Sequence, residues 1–443
     1  MRSKKKIENQ LNFLAPSLKE QLNPSHELYL LSEKIDWLYF DDEFSDLYSD
    51  KGRPAHPIRL MVSLLMLKSI YNLSDEKLVE EHWEMNSYFQ YFSGFTQQQW
   101  GGPCAASDLV FFRQRIGKEG VEKIFQHTIN LHGKDGHDPH VSIDTTAQEK
   151  NITYPTDAKL QKKIIDKCVK KAKEAGIKLR RTYTRTTKQL VRDTYNGNHP
   201  KRRKKSSAAK RKLKTIAGRL VRELERKLGD DSFERELKIF NQVLSQEKNS
   251  KNKIYSLHEP EVYCMSKGKA HKKYEFGCKA SIVLGQKSGI ILGAMTFTTN
   301  VYDGHTLPDV LDQVEKLSGK RPKSATVDRG YKGKQMVGTT KINIPKPPLK
   351  RDSEYQKRKK RKHFRRRAGI EPIIGHLKQD HRVARNFLKG QLGDSINFMM
   401  AAAGFNLKKL MVKLKKGISW LFFQTWFLFI RKSKQPVFNL KKQ

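Results

Sequence analysis

The chain has 443 residues, 37% of them hydrophobic, with five Trp and 22 Phe. That is enough apolar material for two or three domains and more than one core, which excludes a disordered or low-complexity protein. Lys and Arg total 88 against 46 acidic residues, a formal charge of +42 with a pI near 10.0. A polyanion is the expected partner, ahead of a membrane surface or a merely solvated basic face.

The four cysteines, Cys104, Cys168, Cys264 and Cys278, are widely spaced and form no C-x-x-C pair. This pattern speaks for a reducing compartment and against a disulfide framework or a zinc knuckle. Cys264, His271 and Cys278 lack metal-ligand spacing and read as ordinary packing residues. The start "MRSKKKIENQ" is basic but has no apolar segment behind it, so it is not read as a secretory signal, and a cytoplasmic protein is expected.

From about residue 56 to residue 130 the pattern is helical. Leu60, Leu64, Leu67 and Ile70 form an apolar stripe, and Ser74 is placed to cap a following helix with Asp75 and Glu76 in its first turn. Two helices around a short turn are either a helix-turn-helix that reads DNA or half of a bundle. In "CAASDLVFFRQRIG", Arg113 and Arg115 either touch phosphate or stay solvated. "PHVSIDTTAQ" then reads as a short strand ending at Asp144 and two threonines.

The chain next turns helical and very basic until about residue 250, as an insertion ahead of the remaining strands. Leu213, Ile216, Leu220, Leu224 and Leu228 make one stripe, and Phe233, Leu237, Phe240 and Leu244 a second. The run "HPKRRKKSSAAKRKLK" reads as a loop-like basic patch, either facing DNA or serving as a solvated linker. "YEFGCKASIVLG" and "SGIILGAMTFTTN", separated by "QKSG", predict a hairpin. Leu307, Val310, Leu311, Val314 and Leu317 predict an amphipathic helix closed by Gly319. "SATVDRGY" is a further strand ending at Asp328, and "TKINIP" is one more. The order describes a mixed α/β sheet, hairpin first and crossovers later. The apolar segment at residues 420–430, "WLFFQTWFLFI", is about half the length that spans a bilayer and reads as a terminal helix or strand packing on the body.

Asp144 and Asp328 each follow a short apolar strand, where open α/β sheets bind ligands. Two carboxylates in one cleft repel, and a divalent cation relieves that repulsion; Mg²⁺ suits oxygen ligands. Glu371 is the best third carboxylate. On an ideal helix Arg367, Glu371 and Lys378 share a narrow arc, so one face presents a carboxylate between two cations. Pro372 requires that the helix either start near Ile370 or bend there. Asp303 and His305 in "YDGHT" read first as a turn and helix cap, and second as supports to this site.

These residues resemble a family. Asp144 in "SIDTT", Asp328 in "VDRGY" and Glu371 in "FRRRAGIEPIIGHLK" are similar to the aspartate, aspartate and glutamate of bacterial insertion-sequence DDE transposases of the insertion-sequence-five group. Asp328, Gly330 and Tyr331 match its D-x-G/A-Y/F signature. Arg367, Glu371 and Lys378 match Y-x2-R-x3-E-x6-K, with Phe364 in the tyrosine position. "YEFGCK" and "PTDAKL" also resemble family segments, and the likeness runs from about residue 50 to residue 410.

The resemblance implies a ribonuclease H-like α/β catalytic domain over residues 136–410, with a helical insertion at about 155–255. It also implies an N-terminal helical domain (1–135) that binds terminal repeats, leaving an apolar and basic tail (411–443). It implies that Asp144, Asp328 and Glu371 hold two Mg²⁺ ions, replaceable by Mn²⁺, for in-line phosphoryl transfer. Arg365, Arg366, Arg367, Lys378, Phe364, Tyr331, Arg113 and Arg115 are then the expected DNA contacts, with Tyr331 structural or DNA-contacting rather than nucleophilic. The implied partners are the double-stranded terminal inverted repeats and target DNA, bound by a homodimer in a prokaryotic, nucleoid-associated setting without a membrane. A nuclease of the same fold that moves no element, or an inactive DNA-binding descendant, are the alternatives.

Overall fold

The computed structural model describes residues 16–49, 51–52, 54–228, 233–247, 249–266, 273–333 and 335–433, with side chains as far as residue 417. Seven helices come first: α1 Leu18–Gln21, α2 Glu27–Lys34, α3 Trp37–Ser45, α4 Ile58–Tyr71, α5 Trp83–Met85, α6 Ser87–Phe92 and α7 Ala106–Asn130, the last interrupted at Gly117 (φ +60°). The predicted stripe on α4 is buried, but so is most of the rest of the helix. α4 is therefore an interior helix and presents no face to DNA. Ser74 Oγ accepts from the Lys77 N–H as the sequence suggested, at the start of a π-helical turn Lys77–His82. That turn exposes Glu80 and Glu81, charges that repel phosphate.

Seven strands form one mixed sheet: β1 His140–Glu149, β2 Tyr263–Ser266, β3 Tyr274–Gly285, β4 Ile291–Phe297, β5 Ser324–Thr326, β6 Met336–Val337 and β7 Thr340–Asn343. The order is β2-β3-β1-β5-β7-β6, with β4 also paired to β3. The β3–β4 hairpin is as predicted, as is the amphipathic helix, α12 Leu307–Ser318, closed by Gly319 in the left-handed region (φ +70°). One expectation is overturned. β1 does not end at Asp144 but runs on to Glu149, because β3 supplies an antiparallel partner along its whole length, from Val141 opposite Gly285 to Glu149 opposite Gly277.

The insertion holds α8 Asp157–Glu174, α9 Thr184–Asp193, α10 Pro200–Leu228 and α11 Glu234–Ser245. It encloses its own core, in which Leu213, Ile216, Leu220, Leu224 and Phe240 are buried. The basic run starting at His199 is not a loop; from Pro200 it forms the first turns of α10. Lys, Arg and Ala favour helix, Pro is tolerated at the first helical position, and Ser206 and Ala209 find buried places on the inner face.

The chain ends with α13 Glu354–Ala368, α14 Ile370–Asp380 and α15 Gly390–Ser433. The side chains of the apolar stretch 420–430 fall within α15 but lie outside the described residues. Among the described residues no helix is long and apolar enough to cross a membrane.

A single core joins the N-terminal helices, the sheet, α12 and α15. α15 crosses α4 so closely at Gly404 that a Cβ there would lie 2.8 Å from the Ser69 carbonyl. Two residues on, the buried Asn406 completes the open edge of β4 as a strand would. Its amide donates to the Ile291 carbonyl (2.8 Å), and its oxygen accepts from the Ile291 N–H (2.9 Å). The start of α15 is tied to the end of β1 by buried Lys150, which lies 2.9 Å from Asp394 and 3.3 Å from Glu259. Burial pushes the Asp394 carboxyl up, with Lys150 opposing.

Replacing Asn406 by Leu removes both bonds and strands two buried backbone groups. We expect a loss of about 2–4 kcal/mol in urea unfolding; an unchanged midpoint would show that this edge does not need its surrogate strand.

Candidate active site

The sheet brings the first two carboxylates together by register. β1 and β5 are parallel, with Ser142 opposite Thr326. Two residues further along each chain stand Asp144 and Asp328, where β5 has ended and β1 continues alone on that side. This is the crevice that forms at the carboxyl ends of parallel strands. Asp328 folds back on its own turn, its Oδ1 accepting from the Gly330 N–H at 2.7 Å. A Cβ at Gly330 would lie 2.9 Å from that oxygen, so only a small residue, the glycine or alanine of the D-x-G/A-Y/F signature, leaves the carboxylate close to its place.

The third carboxylate arrives on α14. Buried Ile370 and Leu377, two turns apart, anchor that helix, and Glu371 lies in its first turn. Of the two options left by Pro372, the structure takes the first: α13 stops at Ala368 and α14 restarts at Ile370 after Gly369. Pro372 is then the third residue of a helix, where its missing N–H would have had no intrahelical partner.

Arg367, in the last turn of α13, occupies the middle. Its guanidinium is 2.6 Å from Glu371 Oε1, 3.6 Å from Asp144 Oδ2 and 3.8 Å from Asp328 Oδ2. The three carboxylates thus gather around a cation rather than on one another. Among the described residues no three His, Cys, Asp or Glu side chains form a closed metal-ligand cluster.

Behind this group Asp303 is both a turn residue and a support to the site. Asp303 begins the 3₁₀ turn Asp303–Thr306, as a turn residue should, but its carboxylate also receives the Thr145 hydroxyl (2.8 Å) and the Lys279 ammonium (2.7 Å). Lys279 donates as well to the Val301 carbonyl. His305 is exposed and stacks edge-on against Tyr302. Lys378 approaches buried Glu275 at 3.9 Å. Lys279 and Glu275 both belong to the "YEFGCK" segment, in which no spacing marks either one individually.

Tyr331 is fully buried, and its phenol is pushed well above its usual range by burial and then by Asp144 and Asp303. The hydroxyl lies close to Thr145 without a hydrogen bond of good geometry. Of the two roles expected for it, the buried position fits the structural one and not DNA contact.

The remaining expected DNA contacts divide. Arg365 and Arg366 are exposed on α13, Phe364 is half-buried, and the Arg366 carbonyl accepts from the Ser142 hydroxyl (3.4 Å). Arg115 is exposed and lies over the Tyr48 ring at 4.4 Å. Arg113 is a correction. It is 5% exposed and both its terminal nitrogens donate to Asp75, at 3.0 and 2.6 Å, so it is neither solvated nor open to phosphate. Burial raises the Asp75 carboxyl, but Arg113 and Lys68 outweigh it and hold the group below its ordinary value. Cys264 and Cys278 have thiols pushed up by burial, as packing residues should, and His271 lies outside the described residues.

Two family models match the chain: a transposase domain (DUF772) over residues 16–115 and a transposase DDE domain over residues 256–407. The chain belongs to the insertion-sequence DDE transposases. A protein from Rhizobium meliloti, called uncharacterized protein ORF8 in nfe locus, is 39% identical over 175 residues, which are 38% of this chain and 84% of that protein. No solved structure matches significantly. Membership in the transposases implies binding to the DNA ends of a mobile element. Asp328 and Glu371 fall inside the matched DDE segment, whereas Asp144 and the insertion fall between the two matches.

Gly330 has no left-handed φ, so a larger side chain there tests the space beside Asp328 alone. We expect Gly330→Val to lower strand cleavage at least about tenfold by displacing the Asp328 carboxylate, with little change in melting temperature, whereas Gly330→Ala, which the signature allows, should keep most of it. Unimpaired cleavage by the valine variant would mean that the glycine has another purpose.

Proposed function

We propose that this transposase, of the insertion-sequence-five group and with a ribonuclease H-like core, cuts the ends of its element and joins them to target DNA. Asp144, Asp328 and Glu371 are its acidic triad, and it works as a homodimer on DNA. The observation that carries the reading is the meeting of three carboxylates from three separate elements around the Arg367 guanidinium. Their oxygens are hard donors and the space between them already holds positive charge, so the residues fit divalent cations. Asp144, Asp328 and Glu371 would hold Mg²⁺, with Mn²⁺ as a substitute; bound there, the metal pair supplies activation of the attacking hydroxyl and charge neutralisation at the leaving oxygen.

The protein's own groups do the rest. Asp144 is held by two strands and is the least exposed of the triad, while Glu371 is the most exposed, so the site opens from the sheet toward α14. Arg367 is within reach of all three carboxylates, and with metal bound to them its guanidinium would be free to hold the phosphate being cut. α13 carries nine Lys and Arg in fifteen residues and buries none of them. Its cations position a DNA strand beside the triad without reading sequence. Tyr331, buried and holding its proton firmly, is no nucleophile.

Asp144→Asn, Asp328→Asn and Glu371→Gln should each abolish cleavage of a cognate end while leaving DNA affinity within about twofold, because each removes a ligand charge and no phosphate contact. Arg367→Ala should weaken binding and cleavage together, with a salt dependence shallower by about one phosphate contact. Near wild-type cutting by any one of the three carboxylate variants would refute the assigned triad.

A further inference from the structure

The positive charge of this protein is not concentrated at the triad. Residues 155–257 carry 31 Lys and Arg against 11 Asp and Glu, a net of +20 out of the chain's +42. Within residues 180–219 there are 15 Lys and Arg and one acid, Asp193, and that acid is held by Lys205 at 2.9 Å. This segment forms α9 and most of α10, in a unit with its own core.

The two helices enclose a groove of about 1250 Å³. Its walls present Arg181, Arg185, Lys188, Arg211, Lys212 and Arg219, all exposed, and no carboxylate lines it. None of the six is ion-paired among the described residues. On α10 the grouping follows from helical spacing: Arg211, Thr215 and Arg219 recur every four residues on the outer face, while Leu213, Ala217 and Leu220 face the core. Four threonines add hydroxyl donors. The groove is therefore a concave surface of hydrogen-bond donors and cations, suited to the oxygens of a phosphate backbone.

We propose that the α9–α10 groove is a second binding site for the backbone of duplex DNA, separate from the strand held at α13. The proposal rests on the transposase reading only for the choice of DNA as the polyanion. Paired Arg, Lys and Thr donors suit phosphate oxygens. Single-stranded nucleic acid is a poorer fit, because it is held by stacking on exposed aromatic rings, and Tyr183, the one aromatic side chain in the lining, packs against the insertion core. A membrane surface is poorer still, because interfacial binding needs an apolar face beside the basic one, and the apolar face of α10 is buried within the insertion.

The test uses the full chain carrying Arg185→Glu, Arg211→Glu and Arg219→Glu together. All three side chains are exposed, and an unchanged melting temperature would establish that the variant folds; the Ala triple variant serves if it does not. Binding to a labelled random-sequence duplex is followed by fluorescence anisotropy from low to moderate salt, with single-stranded DNA and polyglutamate as competitors. The groove predicts at least tenfold weaker duplex binding and a log–log salt slope shallower by about three. Glu371→Gln, measured beside it, should keep the full slope even if it still cuts, so a failed triad assignment would leave the groove result standing. Duplex affinity and slope unchanged from wild type would overturn the proposal, as would a loss confined to single-stranded DNA or to polyglutamate.

Discussion

Two aspartates held side by side by a β-ladder are the constraint around which this site is arranged. The register of β1 against β5 leaves no choice about where Asp144 and Asp328 go, since both follow the same paired position by two residues. Like charges that close raise each other's cost of ionisation unless a cation lies between them. Arg367 meets that need here, and Glu371 completes the balance by holding the guanidinium from its outer side. The same electrostatics explains why the group suits metal: positive charge is required at that point whatever carries it.

Holding such a site demands a scaffold that does not relax away from the repulsion. The sheet provides it because its outer strand is not free. Asn406 closes the β4 edge, Gly404 lets α15 seat against α4, and Lys150 ties the end of β1 to the start of α15. The N-terminal helices and the sheet consequently share one core. The insertion, hung between β1 and β2 and packed around a second core, carries much of the positive charge without being needed to position the triad.

Much of this was legible in the sequence where a period or a turn residue stated it. The stripe from Leu307 to Leu317 with Gly319 behind it, and the two strands around "QKSG", took the forms predicted because local pattern and tertiary burial agree there. The three carboxylates were legible as types and spacings, but their common partner was not. Arg367 reads as a flank of Glu371 along a helix, and only the β1–β5 register brings Asp144 and Asp328 to it. Other misreadings share one cause: local composition does not report tertiary partners. Threonines after Asp144 suggested an ending, but β3 continues the ladder beyond them. The charge run after His199 suggested a loop, but its inner face has a core to cover. Nothing in the sequence around Arg113 reports its partner Asp75, 38 residues away.

The break between α13 and α14 shows how backbone and charge cooperate. In one continuous helix, Arg367 four residues ahead of Glu371 would be the less favourable order for an ion pair, with the cation toward the N-terminus and the anion toward the C-terminus. Interrupting the helix at Gly369 reverses both placements. Arg367 now sits in the last turn of α13, where the helix dipole favours a cation, and Glu371 sits in the first turn of α14, where it favours an anion. Pro372 enforces the break, since it can close no bond back to Ala368. The proline that requires the helix to start or bend at Glu371 is therefore part of what places that carboxylate against Arg367 and toward the two aspartates.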